Sequence, residues 1–154
     1  MKYYFATKEW LGLKNVLYPR VPLTAGDCDD QTTPRICVSQ SIEGCLIGIG
    51  TTIFEDNEIN IYSCRTSDVK QPKISQAYDT SITGEVWITH PIKIRFYNQI
   101  KITKMHTFPV YINDYDADII MSEFKINDGV GLPDDFKEID KAGEEKYNNF
   151  KKKL

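Results

Sequence analysis

What the sequence lacks narrows the field first. No apolar stretch approaches the roughly 20 residues that a membrane-spanning helix needs, so no membrane partner is expected. The opening MKYYFATKEW has one early lysine but neither an apolar core nor a small-residue cleavage site, and reads as no signal peptide. The four cysteines, Cys28, Cys37, Cys45 and Cys64, form no C-x-x-C pair and have no histidine at zinc-ligand spacing. They are expected to be reduced structural thiols of a cytoplasmic protein, as in a bacterial host, rather than disulfides. Histidine is scarce: His90 and His106 are the whole supply, and with scattered aspartates they suggest no metal. Either could serve as a general base. With no G-x-S-x-G elbow, no hydrolase triad is supported. Gly48-Ile49-Gly50 is not followed by the rest of a G-x-G-x-x-G or Walker pattern. Internal repeats and low-complexity segments are absent as well.

What is present suits a single domain spanning residues 1–154, long enough to bury a sizeable core. Hydrophobic residues make up 41% and aromatics 12%, and nine tyrosines with seven phenylalanines favour strands over a helical bundle. The 19 basic and 22 acidic residues give a net charge of -3, which argues against a nucleic-acid binder relying on a general positive field. A local basic groove of Lys93, Arg95, Lys101 and Lys104 on adjacent strands is the third-ranked reading, to be revealed by salt-dependent binding.

Along the chain, Tyr3-Tyr4-Phe5 and Trp10 form an aromatic N-terminal patch. Residues 15–22 read as an edge strand, because Pro19 and Pro22 each remove a ladder donor. Residues 23–34 are a polar loop. Asp27, Asp29 and Asp30 lack the glycine and terminal glutamate of an EF-hand, so the loop is expected to be ordinary and acidic. Residues 35–39 form a strand leading into a short helix over 42–49, with Ser39 or Ser41 as its cap, Glu43 near its positive end and Gly50 as its stop. Residues 58–64 alternate as a strand, and 65–81 form a long polar connection. The run 83–94 follows, with Val86 and Ile88 on one strand face and Glu85, Trp87 and Thr89 on the other. After a break at His90-Pro91 come strands at 92–97 and 100–104, joined by a hairpin at Asn98-Gln99, and another at 108–112. From Asn113 the chain turns acidic and turn-rich, then forms a terminal helix over 133–152. Pro133 starts that helix, Phe136, Ile139, Tyr147 and Phe150 line it loosely, and Lys151 to Lys153 end it.

The chemistry-bearing residues fall at strand ends in the order Arg20, Ser39 with Ser41, then Glu85. An arginine holds a phosphate bidentately, or here pairs with the acidic loop. A serine at a helix start orders an amide or ribose hydroxyl, or simply caps. A carboxylate accepts from a ribose and steadies an oxocarbenium-like centre, or is a solvated strand end. Trp87, on the Glu85 face, belongs to the core or stacks a ring.

This order resembles the arginine-serine-glutamate class of ADP-ribosyltransferases. The resemblance implies an α+β fold of split, mostly antiparallel sheets with few short helices, plus the C-terminal helix, and NAD bound in the cleft between the sheets. It puts phosphate and ribose contact on Arg20, the nicotinamide pocket on Ser39 and ribose bonding on Glu85. Function would be NAD or related nucleotide binding, with ADP-ribosyl transfer or NAD glycohydrolysis. Gln40 replaces the motif's threonine and Thr83 stands where arginine-directed transferases carry Glu or Gln, so nucleotide binding is expected before arginine modification. The segment TPRICVSQSIEGCL with the later G-E-x-W-x-x-x-P also resembles a group of small Gram-positive bacterial and phage proteins. The alternative is accordingly a non-enzymatic phage or mobile-element protein that binds a host protein through exposed Tyr3, Tyr4 and Trp10.

Overall fold

The computed structural model describes residues 1–22, 30–73, 76, 80–112, 114–127 and 137–150. They form a mixed α+β fold dominated by antiparallel sheet. The elements are β1 (Lys2–Thr7), β2 (Lys14–Leu17), β3 (Ile36–Val38), α1 (Ile42–Gly48) with a 3-10 turn over Gly50–Thr52, and β4 (Glu58–Arg65). After these come α2 (Thr80–Thr83), β5 (Val86–Ile88), β6 (Ile92–Ile112), β7 (Tyr115–Ile126) and α3 (Lys137–Asn149). A five-stranded sheet runs β1-β4-β6-β2, with β7 also on β6, and β3 and β5 form a second, two-stranded sheet.

Strand alternation sets the layers. Tyr3, Tyr62, Cys64 and Ile94 on one face of the large sheet meet Ile36, Val38, Val86 and Ile88 from the inner face of the small sheet. On the opposite face, Ile59, Ile61, Ile100 and Ile102 meet Leu46 of α1. The molecule is therefore a stack of small sheet, large sheet and α1, with a separate apolar core in each gap. Ser41 supplies the α1 cap, accepting from the Gly44 amide at 3.0 Å. Gly44 permits the close approach there, since a Cβ would run into the Thr83 carbonyl and the Ser39 hydroxyl.

Three expectations are corrected. No hairpin turns at Asn98-Gln99, where neither residue has the positive φ of a two-residue turn. Instead β6 runs on for 21 residues, and Tyr97 is an extra residue between the pairs Tyr62↔Phe96 and Ile61↔Asn98. That bulge keeps the strand continuous while shifting its side-chain phase by one. The chain reverses instead between the paired Ile112 and Tyr115, with Asp114 at φ 68. Residues 115–126, expected to be turn-rich, are strand β7; Asp116 and Asp118 on exposed positions mask an alternation that buries Ile119. The N-terminal aromatics are not an exposed patch: Tyr3 is 4% and Trp10 7% accessible, because both fill the core between the sheets. Several exposed large apolar residues lie instead on the β6–β7 hairpin, including Phe108, Tyr111 and Met121.

Helix α3 docks through a stripe that shares Tyr147 with the expected one but leaves out Ile139. Ile139 is exposed, whereas Asp140 accepts from Trp10 Nε1 at 3.0 Å and from the Leu13 amide at 3.2 Å. One turn on, Gly143 lets the helix backbone close onto the Lys14 and Leu11 carbonyls. Pro133, Phe136 and Lys151 to Lys153, with Cys28, Asp27 and Asp29, lie outside the described residues. No helix among the described residues is long and apolar enough to cross a membrane.

Candidate functional site

The small sheet turns one face to the core and the other outward, and the outward face gathers the polar residues. Directly paired residues of antiparallel strands share a face. Cys37 pairs with Trp87, and one step beyond the Val38↔Val86 pair Ser39 comes opposite Glu85. Two isolated bridges widen the sheet, Arg20↔Arg35 beside β3 and Lys70↔Trp87 beside β5. Register thus sets Arg20, Arg35, Cys37, Ser39, Lys70, Glu85 and Trp87 on one surface.

Glu85 is half-buried. Its amide donates to Thr83 Oγ1 at 3.1 Å, and its Oε2 accepts from Trp87 Nε1 at 3.1 Å. The turn that presents it depends on Gly84 at φ +65, a conformation that glycine adopts without strain. Ser39, 3% accessible, donates to the Thr83 carbonyl at 2.7 Å and so fastens that turn to β3. Trp87 is fully buried, with the Arg35 guanidinium 4.3 Å and the Lys70 ammonium 6.0 Å from its ring centre. Its ring therefore presents no face to solvent, and its polar edge orients Glu85.

Arg35 is the residue that sequence reasoning passed over. It is 4% accessible, donates to the Thr33 carbonyl at 3.0 Å and lies 3.8 Å from Asp30. Its Nε is buried and has no hydrogen-bond partner among the described residues. A usable signal was the in-phase series Arg35, Cys37, Ser39, which sets a cation on the polar face of a strand whose other face is Ile36 and Val38. Arg20, by contrast, is exposed and touches Arg35 through backbone hydrogen bonds at 3.2 and 2.9 Å.

The cover over this face is tied at Asp30. Its carboxylate accepts from the Thr32 and Thr33 amides at 2.7 and 2.8 Å, which holds its pKa well below the usual carboxylate range. Its amide donates to the Gln76 carbonyl at 2.7 Å, joining the two connections that flank the small sheet. Burial, with the neighbouring Glu85 carboxylate, pushes the Cys37 thiol up to about 12 against the opposing effect of Arg35. Burial likewise raises Cys45 to about 12 and Cys64 to about 11. These are packed, protonated thiols and poor nucleophiles at neutral pH.

The remaining candidates are dispersed. His90 contacts Asp68 at 3.5 Å and His106 contacts Glu123 at 3.7 Å, on separate parts of the molecule. No cluster of three metal-ligating side chains occurs among the described residues. Two surface concavities stand out, one near the hairpin end lined by Pro109, Tyr111 and Asp116, the other lined by Arg65, His90, Lys93 and Phe150. Neither is lined by Arg20, Ser39, Ser41, Glu85 or Trp87. No protein-family model, curated protein or solved structure matches the chain.

Proposed function

We propose that the outward face of the small sheet binds a nucleotide such as NAD, as in the ADP-ribosyltransferase class that the sequence resembles, with transfer or glycohydrolysis as the associated chemistry. On this reading the two sheets are the halves of that split-sheet fold. The observation that carries it is the buried Nε of Arg35, a donor without a partner among the described residues, on the face that register shares with Glu85. Leaving such a donor unpaired costs about 1–3 kcal/mol, and a ligand oxygen removes that cost. Phosphate recognition then belongs to Arg35 with Arg20, and ribose recognition to Glu85. Ser39 and Trp87 act at one remove, Ser39 by fixing the Thr83-Gly84 turn and Trp87 by orienting the Glu85 carboxylate. Ser41 serves as the α1 cap.

Calorimetric titration with NAD tests the proposal. The wild-type protein is expected to bind, and Glu85→Gln and Arg20→Ala each to weaken binding about tenfold, the loss of roughly one hydrogen bond to a charged group. An absence of binding at millimolar NAD ends the proposal. That result favours the host-protein reading, which has the exposed Phe108, Tyr111 and Met121 of the hairpin as its own observation.

A further inference from the structure

The large sheet carries a second concentration of cations, on the α1 side and across the core from Glu85. Lys2 pairs directly with Arg65, and Lys14 directly with Arg95. Arg65 and Lys93 line one cleft of about 240 Å³ together with Thr66, His90 and Phe150. Like charges set directly opposite on neighbouring strands destabilise a sheet. Among the described residues, no carboxylate forms an ion pair with Lys2, Lys14, Arg65, Lys93 or Arg95. Five unneutralised cations share one face of a chain whose net charge is -3. Packing accounts for only part of that arrangement, since Arg95 Nε donates to the Tyr147 hydroxyl of α3 at 2.9 Å whereas Lys2 and Arg65 are paired with each other rather than with that helix.

Aromatic rings are interleaved with the charges. The Lys2 ammonium sits 5.3 Å from the Tyr4 ring centre and 4.6 Å from that of Tyr97. Lys14, Lys93 and Arg95 surround Tyr147 of α3 at 5.6, 4.6 and 5.3 Å. Tyr97, the bulge residue, is 45% accessible. The Tyr97 bulge also explains why the basic residues read from sequence do not form one patch. Upstream of it Lys93 and Arg95 point to this face, whereas downstream Ile100 and Ile102 do, which turns Lys101 to the other side.

We infer that this face binds single-stranded nucleic acid through its phosphates. Rows of cations match a repeating phosphate charge, and nearby rings offer sequence-tolerant stacking to unpaired bases. The surface is a sheet floor bordered by α1 and α3, and its cations lie on that floor rather than on the β6–β7 ribbon, the element shaped to enter a duplex groove. In the absence of ligand the ammonium groups rest on the rings. A phosphate draws them off, and the same rings become available to bases.

Fluorescence anisotropy with a labelled mixed-sequence 12-mer tests this in the full-length protein. Neutralising three or four phosphates gives a log–log salt slope of about -2 to -3, a loss of roughly 20- to 50-fold between 50 and 200 mM salt. The exposed double variant Arg65→Ala with Lys93→Ala is expected to bind at least tenfold more weakly and to flatten the slope by about 1.4. Lys101→Ala, on the opposite face, and Glu85→Gln, across the core, are expected to bind like the wild type, which separates this site from the nucleotide site. The inference is overturned if the 12-mer does not bind at 50 mM salt, if Lys101→Ala loses as much as the double variant, or if a duplex or polyglutamate competes as well as the single strand.

Discussion

Two basic surfaces of this molecule handle charge in opposite ways. On the small sheet Arg35 is taken out of water and supplied with substitutes: the Trp87 ring, the Thr33 carbonyl and Asp30. On the large sheet Lys2, Arg65, Lys14 and Arg95 stay solvated or half-solvated, opposite one another and without carboxylates. The first arrangement ties a charge into the fold, so removing it leaves a hole against the Trp87 ring. The second contributes little to the fold and opposes it slightly. A buried cation with partners is chiefly structural until a ligand claims its spare donor, whereas the exposed row serves the fold only where Lys14, Lys93 and Arg95 hold Tyr147 of α3.

The contrast can be broken most forcefully at its buried end. Trp87→Ala is expected to cost about 3–5 kcal/mol, and Arg35→Ala about 2–4 kcal/mol from lost packing and ring contact. Urea unfolding curves with an unchanged slope would register both; losses below 1 kcal/mol would mean that this face is not sealed. A pH series sharpens the same point. The thiols Cys37, Cys45 and Cys64 titrate near 9 when unfolded but are raised to about 12, 12 and 11 in the fold. Their contribution is intact below pH 9, and stability should decline as pH climbs from 9 towards 12, because only the unfolded chain releases those protons. A Cys-free variant that retains the whole alkaline decline would refute this assignment. The smallest effect belongs to the open face: Arg65→Gln, opposite Lys2, should leave stability unchanged or raise it by a few tenths of a kcal/mol at low salt, and the gain should vanish at 1 M salt. A destabilisation comparable to that of Arg35→Ala would erase the distinction between the two surfaces.

Local patterns legible in the sequence carried over where a residue's neighbours in the chain decide its state. The strand over 58–64, the α1 helix and its Ser41 cap, and the alternation of Val86 and Ile88 against Glu85 and Trp87 are of this kind. What was not legible depended on distant partners. Asn98-Gln99 has the composition of a turn, but β4 on one side holds it extended and makes Tyr97 a bulge instead. Asp116 and Asp118 hide a strand that β6 imposes by pairing. The docking stripe of α3 runs through Asp140, Gly143 and Tyr147 because Trp10, the Lys14 backbone and three cations await them, and apolar periodicity has no term for such partners. At the candidate site, Glu85 and Ser39 were visible as strand-end polar groups, but Arg35 was read as part of a strand because its burial depends on the Trp87 ring across the sheet.

The length of β6 has a consequence for assembly. β2, β4 and β7 all pair with it, and β1 reaches the sheet only through β4. Strands made near the start of the chain therefore wait for a partner that begins at residue 92, leaving Lys14–Leu17 without its ladder until then. Loop closure over such separations must precede any reward from pairing, which places folding in the slow range of roughly milliseconds to seconds. During synthesis on the ribosome the first half of this chain should remain uncommitted, and the large sheet should form in one late, cooperative step.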